Sequence, residues 1–198
     1  MIRRKIAVVT GGRADYGLLV PILDLIRRDP ALTLQLIVTG AHLEPRLGRT
    51  AEEIKADGFP IAASVPLNLR YDSAPAIASA LGLGVSGFGK VYARLKPDVL
   101  VVLGDRYEIL AAVSAALPFK IPVAHLHGGE ASEGVWDESI RHAVTKMSHV
   151  HFPAHPVYAA RLRRMGEDPK WIHCFGSPAE DRLRSLARLS RQDLEAAL

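Results

Sequence analysis

The chain has 198 residues, 48% of them hydrophobic and 23% charged, with a net charge of +4. That balance suits one well-buried core and excludes a disordered, collagen-like or coiled-coil chain, and the mild basic excess calls for a small anionic substrate no less than for nucleic acid. No apolar run approaches the roughly 20 residues of a membrane span, Ile6 to Val9 is too short for a signal-peptide core, and Cys174 is the only cysteine, so a cytoplasmic protein without an intramolecular disulfide is expected.

Short β-branched runs alternate with helical patterns along the chain, the signature of a parallel sheet covered by helices on both faces. The expected strands are Lys5–Thr10, Leu32–Thr39, Ile61–Val65, Asp98–Leu103, Ile121–His125, His149–Phe152 and Trp171–Phe175. Between them Leu18, Ile22, Leu25 and Ile26 recur at helical spacing, as do Leu110, Val113 and Leu117, then Ile140, Val144 and Met147. Pro97, Pro118 and Pro122 mark element boundaries. The stretch Ala74 to Leu95 carries Gly82, Gly84, Gly87 and Gly89, each costing a helix about 1 kcal/mol relative to Ala, so a kink or unusually close packing is expected there. The fold class is therefore α/β, a doubly wound, Rossmann-like parallel sheet, with residues 1–178 as the domain and 179–198 as a basic helical tail.

Ligands of such sheets bind beyond the carboxyl ends of the strands. Four polar clusters fall there and are expected to share one cleft: Thr10 to Gly17, Gly104 to Glu108, His127 to Glu130, and Asp137 to His142. In the first, two glycines let backbone N–H groups and a helix N-terminus approach an anion, and Arg13 can fork onto phosphate oxygens. The same residues also read as a plain β–α turn with Asp15 capping the helix. The spacing is not G-x-G-x-x-G, which disfavours a nicotinamide cofactor. Asp105 ends the apolar run Val99 to Leu103, where an acid has few structural reasons to be; it reads either as an acid–base group or as an ion pair with Arg106. Asp137 and Glu138, taken alone, suit a helix N-terminus, pairing with Arg141 and His142 four residues on. His125, His127, His149, His151 and His155 lack the pattern of a metal site, and His127 is placed to orient a ligand. No G-x-S-x-G serine elbow occurs, and Cys174 reads as a buried small hydrophobe within the last strand.

Six segments, Gly12-Arg13-Ala14-Asp15-Tyr16-Gly17-Leu18-Leu19, Thr39-Gly40-Ala41-His42-Leu43, Gly104-Asp105-Arg106-Tyr107-Glu108, His127-Gly128-Gly129-Glu130, Asp137 to Lys146 and Gly176-Ser177-Pro178, together resemble the hydrolysing UDP-N-acetylglucosamine 2-epimerases of sialic acid biosynthesis. Relatives acting on UDP-2,4-diacetamido sugars in legionaminic acid pathways share the pattern. The resemblance extends to about Leu186 and implies the N-terminal domain of a two-domain GT-B fold, a cytoplasmic homo-oligomer, a UDP-sugar substrate, and neither metal nor other cofactor, membrane or nucleic acid. It implies that Asp105, Glu130 and Asp137 are catalytic, that Gly12, Arg13 and Asp15 lie at the phosphates, and that His42, Arg106, His127, Glu138 and Arg141 line or brace the cleft. Because this chain matches only the first domain, low turnover is expected of it alone. A non-catalytic nucleotide-sugar-binding or interaction module and a GT-B glycosyltransferase domain are the alternatives.

Overall fold

The computed structural model describes residues 3–48, 50–69, 71, 73–132, 136–185, 191 and 195. In chain order the elements are β1 (Arg4–Thr10), α1 (Arg13–Arg28), β2 (Leu32–Thr39), α2 (Ala51–Ala56), β3 (Ile61–Val65), α3 (Ala74–Leu95), β4 (Val99–Leu103), α4 (Tyr107–Ala116), β5 (Val123–Leu126), α5 (Asp137–Lys146), β6 (Val150–Phe152), α6 (Pro156–Arg164) and α7 (Pro178–Ser185). The strands pair in parallel in the order β3-β2-β1-β4-β5-β6. Strand order reverses between β1 and β4, which places the crevice for a ligand at their carboxyl ends.

The period of two along each strand sorts its side chains between two cores. Ala7, Val9, Ile37, Leu100, Val102 and Val123 face α3, α4 and α5, which contribute Phe88, Tyr92, Ile109, Val113, Ile140 and Val144. Val8, Leu36, Val38, Val101, Leu103, Ala124 and Leu126 face the other way, where α1 lays down Leu19, Val20, Leu23 and Ile26 at helical spacing. The helix α7 packs beside α1. The remainder of the expected tail, residues 186–190, 192–194 and 196–198, lies outside the described residues.

Two expectations need correction. Trp171–Phe175 is not a seventh strand: a 3-10 turn occupies Pro169–Trp171, and a single parallel bridge joins Ile172 to His151. Strand β6 is only three residues long and offers little edge to pair with. Cys174 consequently sits half-buried outside the sheet, beside the small cluster of Ala159, Leu162 and Ile172.

The glycine-rich stretch is one continuous 22-residue helix, α3. By length and composition alone it could cross a membrane, yet Ala80, Gly84, Phe88, Val91 and Tyr92 are buried within the fold. Its glycines divide by environment. A Cβ at Gly84 would lie 2.8 Å from the Ala111 Cβ, and one at Gly87 would lie 2.7 Å from Val65 Cγ1, whereas Gly82 and Gly89 meet nothing within 4 Å. Close packing, the second of the two expectations, is what Gly84 and Gly87 permit. We predict opposite signs for two alanine substitutions. Gly82→Ala should stabilise by about 0.5–1 kcal/mol through helix propensity, and Gly84→Ala should destabilise by about 1–3 kcal/mol through overpacking. Urea denaturation of the two variants checks this.

Candidate active site

Beyond β4 the chain turns at Gly104, whose φ of +82° is readily adopted only without a Cβ, and this turn delivers Asp105 to the carboxyl edge of the sheet. Beyond β5, His127, Gly128 and Gly129 form a tight turn leading to Glu130. Gly129, at φ +79°, has no room for a side chain, since a Cβ there would lie 2.7 Å from the Tyr158 carbonyl. The turn is held from outside as well: Arg161 of α6 donates to the Gly129 carbonyl at 2.7 Å.

From the opposite side α5 presents Arg141, only 7% exposed, into the gap between the two loops. Its Nη1 donates to Glu130 Oε2 and to the His127 carbonyl, both at 3.1 Å. Its Nη2 donates to Asp105 Oδ2 and, at 2.9 Å, to Ser132 Oγ. Glu130 Oε1 lies 2.7 Å from His127 Nδ1. Partial burial works to raise the Glu130 carboxyl, but hydrogen bonds and charge from His127 and Arg141 outweigh it and hold the group below the usual carboxylate range. His127 Nε2 is left with Ser177 Oγ, 3.4 Å away at the start of α7. His127 also has φ +63°, a left-handed backbone rare for a side chain of this size and costing about 1–2 kcal/mol. Strain of that kind persists where the surrounding structure over-determines it.

A second tether lies beneath the first. His125 is fully buried and its Nε2 donates to the Gly104 carbonyl at 2.8 Å, which leaves Nδ1 to accept from the Thr145 hydroxyl at 3.2 Å. Thr145 follows Arg141 by one helical turn, so both lie on the buried face of α5. Burial pushes the His125 imidazole down to about 4 and keeps it neutral.

The structure thus brings together Asp105, Glu130, His127 and Arg141. Arg106 is not the counter-ion of Asp105: its Nε donates to Glu108 Oε1 at 2.6 Å. Nor does Arg141 pair with Asp137; it reaches inward instead, and only the Glu138–His142 pair forms on α5, at 3.5 Å. Asp137 stands half-buried in the first turn of that helix. The first loop is organised internally: Gly11 and Gly12 donate their N–H groups to the Asp15 carboxylate at 2.8 and 2.7 Å, the capping alternative. Arg13 forks onto Glu53 of α2 in an exposed ion pair. His42 is fully buried, with Thr10 Oγ1 2.9 Å from Nε2 and Thr50 Oγ1 against Nδ1, so it braces the loop after β2 instead of facing the cleft.

Sequence reasoning passed over Glu108, Ser132, His125 and Thr145 as site residues. Glu108 is fully buried under Gly11 and Gly40; burial raises its carboxyl and Arg106 opposes that. Its signal was available, since it follows Asp105 by three residues at the opening of α4.

The architecture defines a class, a doubly wound α/β domain with a carboxylate, guanidinium and imidazole cluster at the strand ends flanking its switch point. Residues 24–198 match the family model described as UDP-N-acetylglucosamine 2-epimerase, and the chain belongs to that family. It is 41% identical over its whole length to GDP/UDP-N,N'-diacetylbacillosamine 2-epimerase (hydrolyzing) of Campylobacter jejuni, covering 51% of that protein. It is 45% identical over 180 residues, 91% of the chain, to UDP-N,N'-diacetylbacillosamine 2-epimerase (hydrolyzing) of Legionella pneumophila, covering 48% of it. The chain spans about half the length of the curated relatives it matches. Among solved structures, a UDP-N-acetylglucosamine 2-epimerase superposes with a TM-score of 0.85 at 18% identity, over 98% of this chain and 54% of that one. The Neisseria meningitidis UDP-GlcNAc 2-epimerase bound to UDP-GlcNAc gives 0.79 at 20% identity, over 91% of this chain and 48% of that one. The Rossmann-like fold expected from the sequence is the one shared with these structures.

The buried imidazoles fix the sign of an acid effect. Burial is the leading cause that holds His42, His125 and His151 below the ordinary histidine value. The unfolded chain therefore takes up protons near pH 6.5 that the folded chain refuses, so stability is full above about 6.5 and falls as pH drops toward 4. Urea midpoints should decline from pH 7 to pH 5, and His125→Gln should flatten that decline.

Proposed function

We propose that this chain is the N-terminal catalytic domain of a hydrolysing UDP-sugar 2-epimerase, acting on UDP-N-acetylglucosamine or a 2,4-diacetamido relative. The observation that carries this reading is the Asp105–Arg141–Glu130–His127 cluster at the carboxyl ends of β4 and β5, in a chain of this family. Elimination needs a base for the C2 proton and a site for a departing diphosphate; hydration needs an acid and a base. In the first step the C2–H bond breaks, its electron pair forms the C1=C2 double bond, and the C1–O bond breaks with its pair leaving on UDP. In the second, water adds its oxygen to C1 and a proton to C2 on the opposite face, giving the 2-epimeric free sugar. Asp105 and Asp137 supply acid and base for the hydration, and Arg141 offsets the negative charge of the two carboxylates beside it, so that an anionic leaving group can be held there.

Arg13 is the proposed phosphate ligand. Its pair with Glu53 is exposed and screened by water, so a diphosphate, with two negative charges against the carboxylate's one, can displace it. The Gly11 and Gly12 amides, held by Asp15, shape the loop around that exchange.

The test uses the natural protein at full length. Asp105→Asn should keep UDP affinity and lose about 100-fold or more in UDP release. Arg13→Ala should weaken UDP binding and turnover together. Near-normal release by Asp105→Asn would remove that acid from the mechanism, and unchanged UDP affinity in Arg13→Ala would leave the Glu53 pair as a purely structural contact. The 198 residues alone should release UDP more slowly than about 1 per second, because a half-site leaves the diphosphate solvated and the reacting geometry loose.

A further inference from the structure

We infer that His127 is the base that takes the C2 proton, and that Glu130 is the residue that positions it. The inference rests on the elimination chemistry proposed above and assigns the proton to one atom. Glu130 has no free oxygen with which to act directly: Oε1 faces His127 Nδ1 at 2.7 Å, and Oε2 accepts from Arg141 at 3.1 Å. A carboxylate held low by two cationic or donor partners is a poor proton acceptor. What it does well is fix a tautomer. With the proton on Nδ1, directed at Glu130 Oε1, the lone pair of the neutral ring is on Nε2.

That nitrogen is the one left unclaimed by the cluster. Its hydrogen-bond partner among the described residues is the Ser177 hydroxyl at 3.4 Å, a long contact that a substrate hydrogen can replace. Ser177 Oγ meanwhile accepts from the Ala179 N–H at 3.2 Å, so the hydroxyl proton is free to point at Nε2 in the resting state. The backbone supports the same assignment. His127 is held at φ +63° by its N–H donating to the Phe152 carbonyl at 3.0 Å and by its own carbonyl accepting from Arg141. The chain maintains an unfavourable conformation, and it accompanies a ring whose Nδ1 faces Glu130 and whose Nε2 lies beside Ser177 Oγ. The charged and titratable groups around the ring are Glu130 from its own turn, Arg141 from α5, Asp105 through Arg141, and neutral His125 two residues upstream.

Proton balance is simple. The C2 proton passes to Nε2 as the C1–O bond breaks, giving an imidazolium whose charge faces the Glu130 carboxylate, and this proton returns to solvent before the next turnover.

Two measurements test this. On the 198-residue chain, nitrogen-15 NMR of labelled imidazoles should show His127 protonated at Nδ1 and bare at Nε2 at neutral pH. In Glu130→Ala, which removes the acceptor facing Nδ1, the ring proton should redistribute between Nδ1 and Nε2. A ring protonated at Nε2, or a tautomer unchanged in Glu130→Ala, overturns the positioning role. In the full-length protein His127→Asn, chosen because Asn tolerates positive φ, should cut UDP release at least tenfold with UDP affinity within about threefold. Glu130→Ala should lower kcat at least tenfold with KM within about threefold, the split expected of a residue that positions the base. A smaller loss in His127→Asn, or an unchanged kcat in Glu130→Ala, overturns the base assignment. Failure of the unmodified full-length protein to release UDP would overturn the epimerase reading itself, while the NMR result would still decide whether the Glu130–His127 pair exists.

Discussion

A buried guanidinium between two carboxylates organises this molecule's functional end. Taking Arg141, Asp105 and Glu130 out of water costs several kcal/mol for each charge, a cost offset only when geometry and hydrogen bonding are good. Here both terminal nitrogens of Arg141 are doubly engaged, by the His127 carbonyl and Glu130 on one side and by Asp105 and Ser132 on the other. The interaction crosses three elements at once, tying α5 to the loops after β4 and β5. Without it the two carboxylates would face the gap with no guanidinium between them. The His125 tether from Gly104 to Thr145 runs parallel to it and uses the same face of α5, so helix and loops cannot shift independently.

The rest of the site differs in kind. Arg13 and Glu53 meet in water, with the Arg13 side chain 70% exposed, and such a pair opens at little cost. The domain thus combines a rigid acid–base cluster with an exchangeable cation nearer the surface. This division suits a reaction in which a proton must be moved at a fixed place and a charged leaving group must arrive and depart.

Much of the fold was legible because parallel strands buried on both faces produce continuous apolar runs. Six expected strands appear, those at β2 and β3 with the expected bounds. The seventh failed for a reason local pattern cannot show: Trp171 to Phe175 is short and mostly apolar like a buried strand, but its neighbour β6 is too short to pair with it beyond a single bridge, and Phe175 stands 85% exposed. The continuity of α3 was hidden for the converse reason. Its glycines weaken the helix locally, and only the position of Ala111 and Val65 across the interface shows what Gly84 and Gly87 permit. At the site, the carboxylates were readable from their place after apolar strands, but their partners were not. Neighbours in sequence suggested Arg106 for Asp105 and Arg141 for Asp137; the fold instead gives Arg106 to Glu108 and Arg141 to Asp105 and Glu130. Pairing across elements depends on which way a helix face is turned, and that is set by tertiary packing.

The central claim is that this cluster moves a proton at carbon in concert with loss of UDP. The most direct measurement is to run the full-length protein with its UDP-sugar in deuterium oxide and locate deuterium in the released free sugar by NMR and mass spectrometry. The account predicts UDP release accompanied by one solvent deuterium at C2, with inverted configuration there. Released sugar that keeps its original hydrogen at C2 would contradict it.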